Sequence, residues 1–408
     1  MSGEVVLEHQ VGRAYMPPAD KSQMAYIVLQ ASPTELMAQV RMPLHFALVL
    51  DHSGSMHGKK LASVKEAVKM LIDHLSPDDY ISLVMFSDKA ETIIPSMPAR
   101  DPRGMKAAIE PIRVRGGTNM ARGMQAGLDE LERQHIPHAI KRMILLTDGR
   151  TIGGKKCRQL ASVAREAGVT IYPLGIGADW DEDLLNDVGR LSGGMEAGFI
   201  RTPDDAMSVF QQQVQSAINV AVRNAVLTVR LPMGVAPKRA TRVLPTISEY
   251  DTSVLADRQI VLPLGDLERH NPAAVLIELL VKPRPAGLFR IAQAELSYDV
   301  PMLGPIGGKV RDDITVTFSS QAAHTSEVNA SVMNLVEKAN AHRLVSRVLD
   351  EYKRTGKATT RLAPNVTHVL DAETQASLEQ LVRGQAISQE QVKVISNKTR
   401  NLTQRLDG

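Results

Sequence analysis

Asp51, Ser53 and Ser55 stand two residues apart in the stretch FALVLDHSGS that begins at Phe46, and each carries an oxygen donor. Hard divalent cations take oxygen ligands, so a carboxylate and two hydroxyls at this spacing could make half of a cation site. The same residue types are also favoured helix N-caps, and on D-x-S-x-S alone capping of the next helix is an equal rival. Two further segments offer the same chemistry. Thr118 follows two glycines in Gly116-Gly117-Thr118-Asn119, and Asp148 sits in Thr147-Asp148-Gly149. If these converge, two carboxylates and three hydroxyls surround one point. Mg²⁺ binds about six oxygens in octahedral geometry and keeps some waters, and Mn²⁺ or Ca²⁺ would accept the same donors.

Convergence depends on the elements that carry these residues. Residues 46–50 are an unbroken apolar run ending at Asp51, as in a strand buried on both faces of a parallel sheet. Further strands are expected at 81–86, 142–146 and 169–177, with weaker ones at 91–97, an edge because of Pro95, and 196–201. Between them Leu61, Val64, Val68, Leu71, Ile72 and Leu75 form one helical stripe. Other helices are expected at 105–109, 120–134, 156–167, 181–191 and 203–221. Alternation of strand and helix over 43–221 implies a doubly wound, mainly parallel, Rossmann-like sheet. All strand carboxyl ends then share one edge, where such sheets bind ligands.

The flanks read differently. Strand-like pieces at 4–9 and 24–30 fill residues 1–42, and 222–320 holds alternating runs around Leu227, Ile277 and Ile314. Prolines and glycines (Pro263, Gly265, Pro272, Pro283, Pro285, Gly287, Pro301, Gly307) separate these runs. An antiparallel β-sandwich is expected, completed by the strands of 1–42, with the α/β unit inserted into it. Residues 321–408 return to helix as a C-terminal bundle. Its helices are a long one through Val332–Leu349 to Gly356, a second at 372–382, and a third opened by the capping box Ser388-Gln389-Glu390-Gln391. The segment 393–405 is expected to be a solvated helix face.

Composition narrows the function. The 408 residues carry 48 basic and 45 acidic side chains, a net charge of +3, too balanced for a nucleic-acid binder. Cys157 is the sole cysteine, so a cysteine-based zinc site is excluded in practice, and the thiol is expected to be inert. No run approaches the length of a membrane span, and no signal-type segment is visible, so a soluble cytoplasmic protein is expected.

The three motifs together, at these intervals, resemble the von Willebrand factor A domain and its metal-ion-dependent adhesion site (MIDAS), over about residues 43–205. The resemblance implies that Ser53, Ser55 and Thr118 bind the metal through hydroxyls, while Asp51 and Asp148 act directly or through water. His52 fills a variable position and is expected to point away. It further implies that the metal docks an Asp or Glu of a partner protein, and that ion binding can be coupled to a shift of helix 203–221. In bacteria and archaea, intracellular A domains are often paired with AAA-type ATPases or act in metal-insertion, stress or defence systems. Two other classes compete. A Mg²⁺-dependent phosphohydrolase would want a second Asp where Ser53 stands, and no hydrolase or nucleotide-binding motif is present. An exported adhesin would need a signal segment. The expectation is a non-enzymatic interaction module, neither nucleic-acid- nor membrane-bound.

Overall fold

The computed structural model describes residues 3–37, 41–256, 258–300, 307–358, 360 and 368–404. Of the expected features, Pro301 and the end of the tail at Arg405 lie outside them. Two compact units emerge, Arg41–Val220 and the combination of Met1–Val40 with Ala221–Gly408. In chain order β1 (Val5–Val11), β2 (Tyr15–Met16) and β3 (Gln23–Pro33) come first.

The unit Arg41–Val220 alternates strand and helix. It runs β4 (Leu44–Asp51), α1 (Lys59–His74), β5 (Tyr80–Phe86), β6 (Ala90–Pro98), α2 (Pro102–Ile109), α3 (Met120–Arg133) and β7 (Ile140–Thr147). It continues with α4 (Gly154–Glu166), β8 (Val169–Ile176), α5 (Glu182–Leu191), β9 (Gly198–Ile200) and α6 (Ala206–Asn219). The sheet order is β6-β5-β4-β7-β8-β9, parallel except for β6, which pairs antiparallel with β5 at the edge. Every residue of β4 is buried. The reason is two-sided cover: Phe46, Leu48 and Leu50 pack with α1 and α6, while Ala47 and Val49 pack with α3 and α4. α3 comes close enough because Gly127 has no side chain; a Cβ there would fall 2.5 Å from Val49 Cγ2. The expected α1 stripe is the buried face of that helix.

The last helix differs from expectation. It follows a 3₁₀ turn, Pro203–Asp205, capped by Thr202 and Asp205, and stops at Asn219, where β10 (Val220–Arg230) begins. The run Val220-Ala221-Val222 is buried and apolar in either state, so its pattern could not separate the end of a helix from the start of a strand.

The remaining strands are β11 (Val235–Leu244), β12 (Ser248–Glu249), β13 (Leu255–Ala256), β14 (Gln259–Glu268), β15 (Ala273–Val281), β16 (Gly287–Asp299) and β17 (Gly308–Phe318). They form two sheets, β1-β3-β15-β11-β12 and β13-β14-β10-β16-β17-β2. One apolar cluster draws Ile27, Leu29 and Ile277 from the first and Leu227, Leu296 and Phe318 from the second. Pro263 and Gly265, read as separators, lie inside β14, where Ile260, Leu262 and Leu264 alternate inward. β15 is buried on both faces because the helix Ala330–Thr355 covers the outer one, with Val332, Val336 and Ala339 against Val28, Ala274 and Leu276. The helices Ala372–Val382 and Gln389–Arg400 close a further apolar cluster with Val345. The tail is not wholly a solvated face: Val392, Lys393, Ile395 and Thr399 are buried, since Val392 and Ile395 supply an apolar stripe. No described helix is long and apolar enough to cross a membrane. Cys157 is buried, and burial pushes its thiol up to about 11, which suits an inert core residue.

His45, in the buried strand β4, is held neutral. Burial, with Lys141 acting the same way, lowers its ring to about 4, and its Nε2 lies 2.8 Å from Ser96 Oγ. The folded value lies below the unfolded one, about 6.5, so the unfolded chain takes up the proton first. The contribution of His45 to stability is therefore complete above about pH 6.5 and is lost as pH falls towards 4, by up to about 3 kcal/mol. Denaturant unfolding of wild type and His45→Gln at pH 7 and pH 4.5 checks this: the wild type is expected to lose more stability on acidification than the variant.

Candidate metal site

The candidate residues lie at the carboxyl ends of β4 and β7, which are neighbours in the sheet. Leu50 pairs with Leu146, and the next residues along, Asp51 and Thr147, meet through their side chains. Thr147 Oγ1 donates to Asp51 Oδ2 at 2.6 Å, and the Ser53 backbone N–H donates to Asp51 Oδ1 at 2.8 Å. Ser53 and Ser55 hydroxyls are 3.0 Å apart, and Ser55 Oγ donates to Asp148 Oδ1 at 2.6 Å. Four of the five candidates thus form one hydrogen-bonded chain. The capping alternative fails: α1 is preceded by Gly58, with no side-chain cap, and Ser53 caps nothing through its side chain.

Thr118 arrives on a separate loop. Gly117 adopts a φ of +78°, and a Cβ there would overlap the Asp88 carboxylate, so only glycine fits. Asn119 then caps α3, accepting from the Arg122 N–H. Thr151 stitches this loop to that of Asp148: its hydroxyl lies 3.1 Å from the Thr118 carbonyl and accepts from the Met120 N–H at 2.9 Å. The half-buried Thr118 is fixed by its backbone, and its own hydroxyl is not a member of the chain. Ile152, next in the loop, is 70 % exposed. His52 is buried and turned to the α2–α3 loop, with Nδ1 3.1 Å from the Arg113 carbonyl, away from the donor set as expected.

The electrostatics favour a cation. Asp51 is fully buried and Asp148 is 1 % exposed. Burial pushes the Asp51 carboxyl above its ordinary range, hydrogen bonds from Thr147 and Ser53 pull it back, and the charge of Asp148 pushes it up again. Two buried carboxylates that repel each other are tolerable only with a compensating positive charge. Lys60 supplies one, with Nζ 2.5 Å from Asp148 Oδ2. No described group of three or more His, Cys, Asp or Glu could hold a metal, so any ion here would rest on hydroxyls as much as on carboxylates. That donor set fits a hard ion such as Mg²⁺. Motif reading missed Thr147, Thr151 and Lys60. The clue for Lys60 was a first helical turn with two lysines and no acidic residue.

Comparison with known proteins agrees with the fold. The von Willebrand factor type A domain profile matches residues 46–216. An uncharacterised protein of Synechocystis sp. is 29 % identical over 79 % of this chain and 74 % of its own. Human inter-alpha-trypsin inhibitor heavy chain H4 is 28 % identical over 54 % of this chain; the match spans only 25 % of its length. Among solved structures, a von Willebrand factor type A protein from Catenulispora acidiphila superposes with a TM-score of 0.77 at 17 % identity, covering 97 % of this chain and 96 % of that one. The ArnB paralog VWA2 from Sulfolobus acidocaldarius gives 0.56 at 15 % identity, covering 98 % and 99 %.

Thr147 should matter chiefly through Asp51, its bond to that carboxylate at 2.6 Å being much shorter than the 3.3 Å contact its hydroxyl accepts from the Gly149 N–H. Thr147→Val leaves a buried carboxylate oxygen unpaired and is expected to cost about 1–3 kcal/mol, whereas Thr147→Ser restores the bond. Chemical denaturation in EDTA measures both without any contribution from metal. Residues 46–216 of this chain thus match the von Willebrand factor type A domain in sequence, and the chain shares its fold with solved proteins of that type.

Proposed function

We propose that this domain binds a divalent cation, Mg²⁺ by preference, at a metal-ion-dependent adhesion site and uses it to dock an acidic residue of a partner protein. The observation that carries the reading is the hydrogen-bonded chain of Asp51, Ser53, Ser55 and Asp148 at one sheet edge, with both carboxylates buried. Domains of this type generally mediate metal-dependent protein–protein interactions. Ser53, Ser55 and Thr118 would hold the ion through hydroxyls, and Asp51 and Asp148 directly or through water. Neutral first ligands leave the ion short of negative charge, so it favours one more anionic oxygen, which an Asp or Glu of the partner supplies. The exposed Ile152, stitched beside Thr118, offers such a partner an apolar contact next to the ion. The role is docking, not turnover. An AAA-type ATPase or a stress or defence complex is the partner class this reading favours. The flanking sheets, read as a β-sandwich into which the domain is inserted, and the C-terminal helices, read as a bundle, would carry the domain.

Calorimetric titration with Mg²⁺ and Mn²⁺ tests the site. Wild type is expected to bind one ion, and Asp51→Ala and Ser53→Ala to lose at least tenfold in affinity. In affinity purification, partners captured in Mg²⁺ should be lost both in EDTA and with Asp51→Ala. Capture that survives both treatments would contradict metal-bridged docking.

A further inference from the structure

We infer that Lys60 is a tethered counter-ion that competes with the divalent ion for Asp148 and so sets the affinity of the site; this rests on the metal reading above. Both oxygens of Asp148 are engaged, Oδ1 by the Ser55 hydroxyl at 2.6 Å and Oδ2 by the Lys60 ammonium at 2.5 Å. Asp148 is 1 % exposed, whereas the Lys60 side chain is 29 % exposed. The carboxylate is fixed, and the lysine can leave towards water without leaving a buried charge of its own.

The position of Lys60 in its helix argues for the same role independently. It is the second residue of α1, in a first turn with Lys59 beside it and no acidic residue. The N-terminus of a helix carries partial positive charge, so a cation there is disfavoured locally. Lys60 is held by what lies outside the helix, and the partner it has there is Asp148. Its arm also reaches the β8–α5 loop, since a Cβ on Gly177 would lie 3.8 Å from its Nζ. Gly177 has a φ of +73°, a conformation that keeps the position free of a side chain.

A divalent ion bound by Ser53, Ser55 and Asp148 would bring two positive charges within a few ångströms of the ammonium, and the repulsion falls only slowly with distance at this depth. Ion binding and the Lys60–Asp148 pair are therefore alternatives. In metal-free protein, Lys60 neutralises Asp148 and keeps the sheet edge from carrying two unpaired carboxylates. When the ion enters, the ammonium moves aside. Affinity for the ion is lowered by the free energy of the pair that must be broken, which keeps exchange reversible.

The test is titration of Mg²⁺ and of Mn²⁺ into the full chain by calorimetry, with melting temperature in EDTA as a second readout, for wild type, Lys60→Met and Lys60→Arg. Lys60→Met, which keeps the stem and loses the charge, is expected to bind either ion about tenfold more tightly and to melt lower in EDTA. Lys60→Arg is expected to behave as wild type in both. Lys60→Gln carries the same expectation as Lys60→Met should the latter fold poorly. Unchanged or weaker ion affinity in the neutral variants, with wild type still binding, would overturn the counter-ion role and leave the metal site standing. Absence of ion binding in all variants would overturn both, even if the EDTA melting temperature falls.

Discussion

Two like charges held out of water, those of Asp51 and Asp148, are the constraint on which this site depends. Taking an ionised carboxylate out of water carries a penalty of several kcal/mol when nothing pairs with it. Here two are buried side by side. Every polar group around them answers that problem: the Thr147 hydroxyl and Ser53 amide on Asp51, the Ser55 hydroxyl and the Lys60 ammonium on Asp148. Hydrogen bonds to charged groups contribute about 1.5–3 kcal/mol each, enough to hold the carboxylates but not to cancel two charges. One ammonium leaves the pair a net charge short, and a divalent cation is the natural complement.

The fold brings this concentration of charge to one edge of the sheet. Parallel strands β4 and β7 end together, so their carboxyl ends deliver Asp51 and Asp148 to one edge without any long-range search. Burial of β4 between helices on both faces fixes that edge rigidly. Gly117 brings the Thr118 loop in, and Thr151 ties it to the loop of Asp148. The hydroxyl-rich character of the set matters chemically. Such a set would leave a bound hard ion with appetite for another carboxylate, and the His52 ring beside it is occupied elsewhere, with Nδ1 3.1 Å from the Arg113 carbonyl.

Much of this was legible in the chain because the relevant signals are local. An apolar run closed by Asp51, two glycines before Thr118 and Asp148 after a second apolar run are each readable alone, and parallel-sheet geometry supplies their convergence. Thr147 stands in the motif beside Asp148, yet nothing local marked it as the partner of Asp51, which is distant in sequence. Lys60 was obscured because a lysine on an amphipathic helix is ordinary; only its place in the first turn was unusual. In the flanking unit, β14 escaped notice because Pro263 and Gly265 fall inside it and read as breaks. Proline costs a strand only the hydrogen bonds its missing N–H would have made, so a strand can accommodate one where that donor is not needed. The end of α6 was misplaced because Val220 is equally at home in helix or strand.

Anomalous diffraction from crystals grown with Mn²⁺ tests the central claim most directly, because it locates the ion without assuming its ligands. The account predicts a single strong peak bounded by Ser53, Ser55 and Thr118, with Asp51 and Asp148 adjacent. A peak elsewhere, or none at this edge at saturating Mn²⁺, would contradict it.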